Sequence, residues 1–114
     1  MVSGEPKTRA LPGFTLDNAV ERNRESPTFE IPAALIRENL SVGASVKLLV
    51  RWTESNICER MWFEVVEAGD GTYSGVLRNT PCYSEALLPG DRVEFEPQHV
   101  AAILPESLLQ MVLE

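Results

Sequence analysis

Apolar and polar residues alternate through the middle of the chain, and this pattern predicts a series of β-strands. Every second residue of 45–52 is apolar, which predicts the buried face of a strand. The same period predicts strands at 60–67, 72–78 and 91–96. The Asp-Gly pair within residues 68–71 predicts a hairpin turn, since these residues readily adopt positive φ values. Gly75 predicts a bulge or bend within the third strand.

Apolar residues spaced by three and four positions predict short helices on either side of the strands. The first is expected at 15–26, capped by Thr15 and stopped by the proline that follows. The second is expected at 32–39, with a proline at its first position. Pro105 could begin a terminal helix whose apolar stripe lies within residues 108–113.

Short helices next to a run of antiparallel strands predict an α+β fold. We expect one domain over residues 14–114, preceded by a mobile N-terminal arm at 1–13 that is rich in glycine, proline and charge. The sheet is predicted to be curled or to close into a partly open SH3-like barrel, with helices along one flank.

The charge of the chain is segregated. Of 114 residues, 58–114 hold ten acidic and three basic side chains, which accounts for the whole net charge of −7. Such a surface repels nucleic acid and anionic membranes, and it attracts a basic protein. The first residues lack the apolar core of a signal peptide, and no run of about 18 apolar residues occurs, so a cytoplasmic protein is expected.

Residues that could perform chemistry are few. Cys58 and Cys82 are 24 positions apart and His99 is the only histidine, which does not supply the ligands of a metal site. No phosphate-binding or nucleophile motif is present, so neither a metal nor a cofactor is predicted. The best enzymatic or ligand-binding alternative places a site near Cys82, Tyr83 and His99.

The more favoured site is a protein-binding surface. It comprises one aromatic residue and four acids of the second half, namely Trp62, Glu64, Asp91, Glu94 and Glu96. Large aromatic side chains anchor many interfaces, but Trp62 could also pack beneath the predicted helices, which is the expectation we prefer. The acids alternate along a strand, which is more typical of a solvated face than of a catalytic carboxylate pair.

Several segments together carry a resemblance to a known family. They are TFEIP at 28–32, VKLLV at 46–50, ERMWFEV at 59–65, GVLRNTP at 75–81, GDRVEF at 90–95 and QHV at 98–100. Over about residues 27–103 the chain resembles the bacterial domain-of-unknown-function family two-three-one-four. The resemblance implies a shared fold and a bacterial origin, and it implies no activity.

Three functions remain open from the sequence. The first is a non-enzymatic protein-binding module, comparable in size and charge to bacterial immunity proteins. The second is an enzyme or small-ligand protein. The third is an accessory domain that pairs with itself through a strand edge, so a monomer or a weak homodimer is expected.

Overall fold

The computed structural model describes residues 13–107. Its strands are β1 (Phe14–Leu16), β2 (Ser45–Trp52), β3 (Cys58–Ala68), β4 (Tyr73–Leu77), β5 (Arg92–Phe95) and β6 (Val100–Ile103). Its helices are α1 (Ala19–Glu25), α2 (Ala34–Arg37) and a 3₁₀ turn (Pro97–His99) between β5 and β6, and residues 105–107 are also helical. Of the predicted arm at 1–13, only residue 13 is among the described residues. The predicted apolar stripe at 108–113 lies wholly outside them.

The strands form one antiparallel sheet in the order β1-β2-β3-β4-β5, and β6 pairs with β2. β3 occupies one edge of β2, while β1 pairs with residues 50–52 and β6 with residues 46–48 on the other edge. Because β6 follows β5 after a single 3₁₀ turn and still reaches β2, the sheet has to curl back on itself. The predicted α+β fold with a curled antiparallel sheet is therefore confirmed.

The main core lies inside the curl of the sheet. The alternating apolar residues of β2 to β5 point inward, and the largest fully buried side chains include Trp52, Phe63, Phe95 and Leu48. Each such side chain contributes about 1.5–3 kcal/mol when it leaves water. The indole N–H of Trp52 donates to a Glu59 carboxylate oxygen at 3.0 Å, so its polar atom is satisfied.

One end of this core is covered by α2 and the residues that follow it. Leu40 is buried against the core, and Ile36 packs partly against it. The Tyr73 hydroxyl donates to the Arg37 carbonyl at 3.0 Å and accepts from the Leu40 N–H at 3.3 Å. These two bonds fix the end of α2 to the first residue of β4.

A second, smaller core lies on the outer face of the sheet. Leu49 of β2 and Ala101 of β6 are buried there by Ala19 of α1, with Phe29 and Ile31 packed at the margin. α1 therefore covers the part of the outer face that β2 and β6 form.

The structure corrects the predicted helices. Residues 14–16 are not helical but pair with β2, and α1 begins after Asn18, whose side chain accepts from the Glu21 N–H at 3.0 Å. Thr15 therefore does not cap a helix. The second helix covers only Ala34–Arg37 rather than 32–39, and the Pro32 carbonyl accepts from the Arg37 side chain instead.

Gly75 has the role that the sequence predicted. β3 shifts its register between Val65 and Glu67, directly opposite Gly75 of β4, so the bulge is confirmed. A Cβ at Gly75 would lie 3.1 Å from Phe95 Cε1 and 3.2 Å from Phe63 Cβ, closer than ordinary contact. The side chains of Phe95 and Phe63 thus lie so close to the backbone of residue 75 that only glycine fits there without displacing them.

We expect Gly75→Ala to lower the free energy of unfolding by about 1–3 kcal/mol, because the new methyl group overpacks the core. This cost exceeds the gain of about 0.4–1 kcal/mol from a less flexible unfolded chain. Urea unfolding followed by tryptophan fluorescence measures the difference. Gly69→Ala is the matched control, since its nearest contact would be 3.9 Å away. Equal stability of the two variants would contradict the overpacking argument.

Candidate functional site

The candidate partner-binding residues largely share one surface. Glu64 pairs with Val76, which pairs with Arg92, and in the next row Ser74 pairs with Glu94. Since side chains alternate between faces, Trp62 lies on the same face as Glu64, and Glu96 follows Glu94 on that side. We call this surface the outer β3–β5 face. Asp91 stands at its margin, just before β5.

The outer β3–β5 face carries more acids than bases. It and its margins hold five carboxylates and three guanidinium groups: Glu64, Glu67, Asp91, Glu94, Glu96, Arg60, Arg78 and Arg92. Glu64 forms an ion pair with Arg78 at 2.8 Å, and Glu67 forms one with Arg92. Glu94 is exposed and makes no ion pair within residues 13–107. The face is therefore acidic, but two of its acids are already neutralised.

The remaining acids on this surface have structural partners. Glu96 caps the 3₁₀ turn and accepts from the Gln98 side chain at 2.6 Å. The Asp91 carboxylate accepts from the Leu88 N–H at 2.8 Å, which holds the loop before β5. Such bonds fix the positions of both carboxylates, and nothing in their arrangement forms a catalytic pair.

Trp62 lies on the outer side of β3, beside Lys47 of β2. The helices make their main contacts with the 3₁₀ turn and β6, and the packing of Trp62 beneath a helix stays a prediction. The indole ring is half-buried and lies 4.9 Å from the Lys47 ammonium. The Trp62 backbone N–H donates to the Asn79 side chain, which ties the loop after β4 to β3.

Among residues 13–107, no hydrogen bond, ion pair or ring contact joins His99 to Cys82 or Tyr83. The Cys82 N–H donates to Glu59 at 2.8 Å, and its thiol is free and exposed, as is most of Tyr83. His99 belongs to the 3₁₀ turn, where its Nδ1 accepts from the Glu96 N–H at 2.9 Å. Burial lowers the pKa of His99. The geometry gives no support for a joint site of these three residues.

An ionic cluster that sequence reasoning missed joins the β1–α1 junction to β2. The Asp17 carboxylate accepts from Arg51 Nη2 at 2.6 Å and from Arg22 Nη1 at 3.0 Å. The hydrogen bond from Arg51 lowers the pKa of Asp17 most strongly. Burial raises the pKa of the neighbouring Cys58 thiol, so it is a poor nucleophile at neutral pH. The cluster is a structural clamp.

A groove on the outer side of the sheet was also missed. It has a volume of about 310 Å³ and is lined by Thr28, Phe29, Glu30, Lys47, Arg60, Ala101 and Ala102. The cationic side chains of Lys47 and Arg60 thus line the same groove, and Lys47 also contacts Trp62. Only the strand register places them together, which is why no sequence motif marks them.

Within residues 13–107 no group of three or more histidine, cysteine, aspartate or glutamate side chains is arranged to hold a metal ion. In the same part of the chain, every helix is too short or too polar to span a membrane. The two cysteines are free thiols, Cys58 half-buried and Cys82 exposed.

Comparison with known proteins identifies the family. A family model described as "Uncharacterized protein conserved in bacteria (DUF2314)" matches residues 28–104, which is about two-thirds of the chain. The protein therefore belongs to this uncharacterised bacterial family, as its segments from TFEIP to QHV predicted. No curated protein and no solved structure matches the chain.

The Asp17 clamp should stabilise the fold in a pH-dependent way. We expect Asp17→Asn to lower the free energy of unfolding by about 1–3 kcal/mol at pH 7, since charge-assisted bonds to two arginines are lost. The folded pKa of Asp17 lies below its ordinary value of about 3.9. The contribution of the Asp17 charge to the free energy of unfolding is therefore complete above the ordinary pKa, and it disappears as the pH falls through the lower pKa of the folded state.

Urea unfolding of the wild type and of the Asp17→Asn variant from pH 7 to pH 3 measures the difference in their free energies of unfolding. The gap between the two curves should stay constant down to about pH 5 and narrow below about pH 4. Glu21→Gln, which removes an exposed pair with Arg24, is the control and should cost less than about 0.5 kcal/mol. A gap that is as wide at pH 3 as at pH 7 would refute the role of the Asp17 charge.

Proposed function

We propose that this protein is a non-enzymatic binding module that holds a basic protein partner on its outer β3–β5 face. The observation that supports it is the half-buried Trp62 on β3, a strand whose main contacts are with β2 and β4 rather than with a helix. An aromatic side chain that is fixed by its strand and open on one side is a typical anchor of an interface. The surplus carboxylates around it set the charge of the partner.

The charge arrangement favours a cationic partner. Five carboxylates and three arginines occupy the face and its margins, and the protein as a whole carries a charge of −7. Opposite charges on a partner would steer the encounter and raise the association rate. Glu94 is the best placed acid for a new ion pair, because it is exposed and has no ion pair among the described residues.

The SH3-like barrel, the cytoplasmic location and the oligomeric state that the sequence predicted are part of the same proposal. An SH3-like barrel is supported by the short 3₁₀ turn between the last two strands and by the pairing of β6 with β2. A cytoplasmic monomer or weak homodimer that neutralises a cationic toxin, as immunity proteins do, is one form of the function. Its support is the size and charge of the chain.

The test begins with a photo-crosslinking amino acid at position 94, compared with one at position 54, in cells of the native bacterium. Glu54 is exposed in the β2–β3 loop, away from the outer β3–β5 face. We expect a basic protein to be crosslinked from position 94 and not from position 54. Equal labelling from both positions would contradict the assignment of the face.

Affinity measurements with the purified crosslinked partner then test the residues. We expect Trp62→Ala and Glu94→Arg each to weaken binding by about tenfold or more, while the matched charge reversal Glu54→Arg changes it little. Circular dichroism checks that each variant is folded. Equal losses for Glu94→Arg and Glu54→Arg would show that net charge alone attracts the partner and would refute the site.

A further inference from the structure

Lys47 and Arg60 differ from every other cationic side chain in residues 13–107. Arg22 and Arg51 bind Asp17, and the remaining arginines outside the groove likewise contact carboxylate or backbone carbonyl oxygens: Arg24, Arg37, Arg78 and Arg92. In this part of the chain, neither Lys47 nor Arg60 forms an ion pair or donates a hydrogen bond to an oxygen, and each lies over an aromatic ring instead. Both line the same groove.

The strand register explains why these two charges lie near each other. Lys47 of β2 pairs with Trp62 of β3, and Arg60 precedes Trp62 by two residues on the same face. Such diagonal neighbours in an antiparallel pair are about 7–8 Å apart at their backbones. Because both cationic side chains line one groove, their like charges repel each other, and an anion between them would relieve the repulsion.

The aromatic contacts hold both cations in place without neutralising them. The Lys47 ammonium lies 4.9 Å from the centre of the Trp62 ring, and the Arg60 guanidinium lies 5.7 Å from that of Phe29. Exposed cation–π contacts are weak, and they leave the N–H donors on the other sides of the cation available. The Phe29 ring is itself held by Arg22, whose guanidinium lies 5.2 Å from its centre.

The rest of the groove limits the kind of anion. Ala101 and Ala102 supply small apolar side chains, while Thr28 and Glu30 supply a hydroxyl and a carboxylate. Because Glu30 offsets one of the two positive charges, a polyanion is disfavoured. A volume of about 310 Å³ is at the lower end of the range for small-molecule sites.

We propose that this groove binds a small organic oxyanion, a carboxylate or a phosphate ester carried by a compact apolar group. The planar guanidinium of Arg60 donates two parallel hydrogen bonds to the oxyanion, and Lys47 donates a third. The apolar part of the ligand lies beside Phe29 and Ala102. The groove adjoins the outer β3–β5 face, because Arg60 belongs to β3, while Lys47 belongs to β2 and Ala101 and Ala102 belong to β6.

Heteronuclear NMR at constant ionic strength tests the site with three probes of similar shape: benzoate, phenyl phosphate and benzylamine. We expect benzoate or phenyl phosphate to shift the amide signals of residues 28–30, 47, 60, 101 and 102 saturably, with a Kd of about 1 mM or lower. The stronger of the two anions identifies the oxyanion. Benzylamine, a cation, should leave these signals unchanged. If neither anion gives saturable shifts there up to about 10 mM, the proposal is refuted.

Substitutions separate a specific site from general attraction of anions. We expect Lys47→Gln and Arg60→Gln each to weaken anion binding by about tenfold or more. Arg24→Gln removes an equal charge from α1, where the guanidinium is paired with Glu21, and should leave the affinity unchanged. Equal weakening by Arg24→Gln and Arg60→Gln would overturn the proposal.

A purely structural role of Lys47 makes a different prediction. If Lys47 only shields Trp62, Lys47→Gln would alter the tryptophan fluorescence and leave the anion affinity intact, which would also refute the site. Glu94→Arg should not weaken anion binding, because Glu94 does not line the groove. This result distinguishes the groove from the proposed protein-binding face.

Discussion

Strand β2 has to satisfy hydrogen bonds along both of its edges and bury side chains on both of its faces. β3 takes one edge over nearly the whole length of β2, so the other edge is left to be shared by β1 and β6. Its inner face fills the main core, and its outer face places Leu49 beneath α1. β1, β6 and α1 are therefore placed by what β2 leaves unsatisfied: β1 and β6 pair with its second edge, the return of β6 curls the sheet, and α1 covers its outer face.

The strength of the local pattern decided which parts of the fold were predictable. β2 to β5 have apolar residues at every second position, and this period holds whatever the partners are. The sequence did not reveal β1 and β6, because strands of three and four residues are defined by the partner they meet. Leu16, Ala19 and Val20 mimic one face of a helix, yet Leu16 belongs to a strand, since pairing with β2 outweighs the local preference.

Alternation predicted much of the candidate face but not its electrostatics. It placed Trp62, Glu64 and Glu94 on one side of the sheet because a period of two is fixed by the pleat. It could not show that Glu64 is paired with Arg78, since that contact depends on the register between two strands. The Asp17–Arg51 clamp joins residues 34 positions apart and was equally hidden. A count of acids therefore overstated the free negative charge of the face.

The two proposed surfaces carry opposite local charges on one side of a single sheet; they meet at the Lys47–Trp62 contact, and their outer ends are far apart. Neighbouring strands are about 4.8 Å apart, so Glu94 on β5 and Lys47 on β2 are separated by roughly 14 Å of sheet surface. The Debye length at physiological ionic strength is about 8 Å, so this attraction or repulsion is largely screened. The Lys47–Trp62 pair lies between the two regions. The electrostatic potential at each surface is then determined by the charged side chains on the same or the neighbouring strand, rather than by the net charge of the protein.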